Sequence, residues 1–92
     1  MKESKKETEG IDSLEMSFGR VLQQLRRERG FSQEELGFRS GYHRTYISLL
    51  ERGLKSPSLR TIFQLAKVLE VGPSQMILSV QDLFTTSSRN YN

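Results

Sequence analysis

His43 is the single histidine of the chain, and cysteine is absent. Without thiols there is no disulfide framework and no thiolate metal centre, which suits a reducing, cytoplasmic setting. One imidazole builds neither a histidine-rich zinc site nor a charge-relay cluster. Glu34 and Glu35 are neighbours in what reads as a helix, so their carboxylates splay apart and form no acid–base pair. A glycine-rich phosphate loop is missing as well. The residue types thus point away from an enzyme, a metal site or a cofactor, and no small-molecule ligand is expected in a chain of this size. What remains is cationic. Met1–Met16 carries three lysines against five acids, Ser17–Val80 carries ten Lys and Arg against five acids, and Gln81–Asn92 is neutral. The foldable part holds the positive charge, which directs attention to a polyanion.

Positioning those cations needs a scaffold, and 92 residues allow one domain. No run approaches the roughly 18 apolar residues of a membrane span, and Met1–Glu7 lacks the apolar block of a signal peptide. Residues 1–15 read as a disordered charged tail, 16–84 as the domain and 85–92 as a flexible end, and nothing in the sequence decides between Met1 and Met16 as the start.

Punctuation inside the domain gives five short helices and no strand, an all-α architecture. The first spans about Phe18 to Arg29, with Phe18, Val21, Leu22 and Leu25 on one stripe, Ser17 as cap and Gly30 beyond the end. Ser32-Gln33-Glu34-Glu35 is a capping box that opens the second, and Gly41 ends it. The third runs from about residue 43 to 52 with Ile47 and Leu50 inward. Ser58 caps the fourth, whose apolar positions are Leu59, Ile62, Phe63, Leu65, Ala66 and Leu69. Gly72-Pro73 opens a short fifth.

Helices two and three, joined at Gly41, make a helix-turn-helix. Gly37 is small where the two must approach closely. Arg44, Thr45, Ser48, Leu49 and Arg52 then project away from the core, a disposition that lets a helix lie in a major groove.

The stretches Leu25–Leu36, Gly41–Gly53 and Ser56–Leu59 resemble the Cro/lambda-repressor-type (Xre) helix-turn-helix family, in register over about Phe18 to Leu78. The segment Arg44-Thr45-Tyr46-Ile47-Ser48, with Phe38 ahead of it, is also similar to controller proteins of restriction–modification systems. The resemblance implies a five-helix repressor-like domain that binds double-stranded DNA. It implies base reading by Arg44, Thr45, Ser48 and Leu49, with Arg44 a bidentate donor to guanine and Leu49 against a thymine methyl. It implies backbone contacts from Gln33, His43, Tyr46, Arg52, Lys55 and Ser56. Arg26 and Glu51 resemble a buried structural ion pair. Four residues depart from the pattern. Gly37 stands where alanine is usual, at a helix cost of roughly 0.5–1 kcal/mol. Tyr42 and His43 occupy places usually held by a small aliphatic and a Ser, Thr or Asp cap. Phe38 finds a place only by packing under Tyr42 or lying against the DNA backbone.

The apolar stripe Met76, Ile77, Val80, Leu83 and Phe84 has two uses, closing the core and pairing two copies. The family often dimerises through its last helix, and a two-fold dimer sets two recognition helices about 34 Å apart. The leading expectation is a homodimeric transcriptional regulator on a pseudo-palindromic operator, blocking or recruiting RNA polymerase. The alternative is an antitoxin or accessory module that holds a partner protein.

Overall fold

The computed structural model describes residues 13–91, with side chains as far as Thr86. Five helices follow one another: α1 (Leu14–Glu28), α2 (Gln33–Ser40), α3 (Arg44–Glu51), α4 (Leu59–Leu69) and α5 (Pro73–Tyr91). There is no strand among the described residues, so the all-α expectation stands. None of these helices is long and apolar enough to cross a membrane.

Local chemistry sets where four of the helices start. Ser13 Oγ accepts from the Met16 amide at 3.0 Å, Ser32 Oγ from Glu35 at 2.9 Å, His43 Nδ1 from Thr45 at 3.0 Å and Ser58 Oγ from Thr61 at 3.0 Å. Each cap satisfies an amide that the first turn leaves without an intrahelical partner. Only half of the expected capping box closes. The Glu35 carboxylate turns along the helix to Arg39 Nε at 2.6 Å.

Two boundaries differ from the sequence reading. α1 begins at Leu14 under Ser13, and the expected cap, Ser17, is buried within the helix. The reason is tertiary: Met16 lies against Gly53, where an added Cβ would stand 2.5 Å from Met16 Cγ. Ser13–Glu15 therefore open the domain, while residues 1–12 of the expected tail lie outside the described residues, as does Asn92. At the other end, α5 is long and continues through Thr85 to Tyr91. Nothing after Pro73 in the sequence is glycine or proline, so no stop signal interrupts it.

α1 packs on α3 and α5, α2 on α3 and α4, and α4 on α5. Phe18, Val21 and Leu22 of α1 meet Leu36 of α2, Ile47 and Leu50 of α3, Leu65, Ala66 and Leu69 of α4, and Met76 and Val80 of α5. Each large buried side chain contributes roughly 1.5–3 kcal/mol from area removed from water. Leu59 and Phe63, two of the apolar positions named on the fourth helix, are 72% and 55% exposed.

Two glycines set the distances between backbones. A Cβ on Gly19 would stand 2.4 Å from the Glu51 carbonyl oxygen, so α1 touches the end of α3 main chain to main chain. A Cβ on Gly37 would stand 2.5 Å from the Tyr42 carbonyl oxygen. The glycine that looks like a weakness in α2 is thus what lets the turn into α3 close.

Candidate nucleic-acid interface

The segment between α2 and α3 is three residues long, and Gly41 takes it through the left-handed region at φ 83°. Tyr42 and His43 follow, and His43, with φ −73° and ψ 148°, caps α3 through its ring nitrogen. An unusual residue type at that position therefore still performs the expected capping. α3 buries Ile47, Leu50 and Glu51 and leaves Arg44 and Thr45 exposed at its N-terminal end. Arg44 makes no ion pair among the described residues. Ser48 and Leu49 are half-buried, so they offer less surface than the first turn does.

Around this helix His43, Arg52, Lys55 and Ser56 are all exposed. They sit at the start of α3, at its end and in the loop beyond it. Gln33 and Tyr46 have partners inside the protein. Gln33 Nε2 donates to Glu51 Oε1 at 2.9 Å, and the Tyr46 hydroxyl lies 3.2 Å from Thr61 Oγ1.

The Arg26–Glu51 pair is buried, with Nε to Oε2 at 2.6 Å and Nη2 to Oε1 at 3.0 Å. Arg26 Nη1 also donates to the Phe31 carbonyl at 2.8 Å. Gln23 adds a longer donor to Glu51 at 3.4 Å. One carboxylate at the end of α3 thus gathers donors from α1 and from the first residue of α2. Its two oxygens are well satisfied, which is the condition for a buried charge to be tolerated.

The other assigned positions fall in three groups. Met76 and Val80 are 1% and 5% exposed and belong to this chain's own core, so neither is available to a second copy. Leu83 and Phe84 are half-buried. Ile77 is 41% exposed, and with it stands Leu78 at 47%, a residue the stripe left out. Leu78, Leu59 and Phe63 join Ile77 around one apolar surface depression between α4 and α5. Phe38 is 83% exposed and does not pack under Tyr42. The signal for the outward set was the width of the apolar arc on α4, too broad for one buried face.

A capped, outward-facing helix held across a glycine turn by its predecessor, with cations along its rim, defines a helix-turn-helix domain of the five-helix repressor type. The chain belongs to the Xre-type helix-turn-helix family HTH_3, whose model matches residues 22–76. It is similar to the control protein C.BamHI of Bacillus amyloliquefaciens, 37% identical over 67 residues that cover 72% of this chain and 83% of the relative. Among solved structures it resembles the restriction-modification controller protein C.AhdI of Aeromonas hydrophila. That likeness has a TM-score of 0.66 at 40% identity and covers 67% of this chain and 90% of the other. It also resembles SinR, the master regulator for biofilm formation, solved in complex with DNA, with a TM-score of 0.62 at 31% identity, covering 65% and 97%.

Proposed function

We propose that this protein is a sequence-specific, double-stranded-DNA-binding transcriptional regulator that acts as a homodimer on a pseudo-palindromic operator. The observation that carries the reading is the exposed first turn of α3, where Arg44 and Thr45 face outward, Arg44 without an ion-pair partner among the described residues, while Ile47 and Leu50 lock the opposite side into the core. In a major groove Arg44 suits guanine O6 and N7, Thr45 an adjacent base edge, and Ser48 and Leu49 the flank of the same surface. His43, Arg52, Lys55 and Ser56 supply backbone contacts that fix register, joined by Gln33 and Tyr46 from their internal anchors. The kinship with SinR, solved in complex with DNA, supports the ligand class.

Dimerisation, on this reading, uses the outward face of the α4–α5 pair. Ile77 supplies the centre with Leu78, Leu59 and Phe63 around it, and Leu83 and Phe84 lie further along α5. Isolated exposed leucines are ordinary, but a cluster on one side of so small a domain is the usual mark of an interface. An activating contact with RNA polymerase would fall to Glu34, because the Glu35 carboxylate is held by Arg39.

The test is selection of bound duplexes from a random pool at about 150 mM salt, where non-specific binding is already weak. A two-fold symmetric site with half-sites about one helical turn apart is expected. No enrichment would overturn the reading and favour a partner-protein module on the same fold. On the selected site, Arg44→Ala is expected to lose about 1–3 kcal/mol of discrimination at one base pair per half-site. A loss spread evenly over all sequences would show that Arg44 binds phosphate and reads nothing.

A further inference from the structure

Thr61 sits in the first turn of α4 and is 3% exposed. Its amide donates to Ser58 Oγ, and the Ser58 hydroxyl donates to Thr61 Oγ1 at 3.0 Å. The Ser58 cap would be complete without more. Yet Thr61 Oγ1 also lies 3.1 Å from the Tyr42 hydroxyl and 3.2 Å from that of Tyr46.

A threonine hydroxyl has one proton and two acceptor sites. The Ser58 proton takes one acceptor site, so one site and one proton are left for two phenols. One tyrosine donates to Thr61 and the other accepts from it, and the oxygen's capacity is spent. The two phenols, with ring centroids 5.0 Å apart, leave α3 on either side of its start, Tyr42 just before the His43 cap and Tyr46 within the first turn. Ile47, Leu50 and Glu51 hold the middle and end of that helix. The hydroxyl cluster on Thr61 holds its beginning.

We infer that Thr61 is a positioning residue for DNA recognition. Its buried hydroxyl fixes the N-terminal end of α3 through Tyr42 and Tyr46, and so fixes where Arg44 and Thr45 reach, without touching DNA. The inference rests on the DNA reading above. It adds a specificity determinant on α4, the helix after the recognition helix, 16 residues beyond Thr45 in the sequence.

Thr61→Val keeps the branched shape and removes the hydroxyl, while Thr61→Ser keeps the hydroxyl. Full-length protein is titrated onto the selected duplex and onto a scrambled duplex at equal salt. Thr61→Val is expected to bind the selected duplex about tenfold more weakly and to change little on the scrambled one. Thr61→Ser should return affinity to near the wild-type value. Should Thr61→Val fail to fold, Tyr42→Phe leaves the Ser58 cap intact and removes one of the two phenols, with an expected loss of about threefold on the selected duplex only. Equal losses on both duplexes, or none, would reduce Thr61 to a partner of the Ser58 cap. If the wild type itself selects no duplex, the DNA reading falls and takes the inference with it. If the wild type selects a site and both variants read it normally, the inference alone falls.

Discussion

Glu51→Ala is expected to remove about 3–5 kcal/mol of stability, a large share of the roughly 5–15 kcal/mol that holds a small domain together. The Glu51 carboxylate is 1% exposed and accepts from Arg26, Gln33 and Gln23. Deleting it leaves the Arg26 guanidinium buried with, among the described residues, the Phe31 carbonyl as its remaining partner. The loss comes chiefly from that stranded charge, not from the worth of the pair, because desolvating both ions offsets most of their attraction. Two comparisons separate these contributions. Glu35→Ala, which breaks the exposed pair with Arg39, should cost less than about 1 kcal/mol. Replacing Arg26 and Glu51 together by methionine should recover much of what Glu51→Ala loses. Urea unfolding of the three variants decides it. A Glu51→Ala cost near that of Glu35→Ala would mean that Arg26 finds water on losing its partner, and that the buried network does not hold α3 to α1.

Such a network also explains which parts of the domain are written locally in the chain. Ser32, Ser58 and Gly41 mark boundaries because a cap or a left-handed turn involves neighbours only three or four residues away, so the residue type alone suffices. The start of α1 is different. Ser13 and Met16 sit in a polar stretch, and what Met16 packs against is Gly53, distant in sequence and adjacent in the fold. Likewise the phenol of Tyr46 is bound to Thr61, 15 residues on, a contact that no helical periodicity contains.

The candidate site divides in the same way. Arg44 and Thr45 are readable as exposed because Ile47 and Leu50 fix the inward side of α3 by spacing. The apolar stripe on α5 was not readable to the same depth. Periodicity reports that Met76, Ile77 and Val80 are apolar, but whether each meets α1, α4 or a second copy depends on how α5 is rolled. Met76 and Val80, four residues apart, face the core, and Ile77 and Leu78 face out. On α4 the apolar set spans too wide an arc for one face, so Leu59 and Phe63 are left outside.

Gly19→Ala tests the closeness on which the whole arrangement depends. On helix propensity alone alanine should gain up to about 1 kcal/mol at a mid-helix glycine. The new Cβ, however, would stand 2.4 Å from the Glu51 carbonyl oxygen, 2.5 Å from that of Leu50 and 2.8 Å from the Glu51 carbonyl carbon. All three are main-chain atoms, so no side-chain rotation relieves the contact, and α1 and α3 must move apart. That separation opens the core between Leu22 and Leu50 and stretches the Arg26–Glu51 pair, whose two residues stand on the separating helices. Overpacking of this kind costs typically 1–3 kcal/mol, and a net loss of about 2 kcal/mol is expected after the propensity gain. The displacement should also tilt α3, so operator affinity should fall further than the folded fraction accounts for. Thermal unfolding, together with titration well below the midpoint, reads both effects. A variant as stable as the wild type or more so would show that α1 slides along α3 freely, and that backbone contact at Gly19 does not set the pose of the recognition helix.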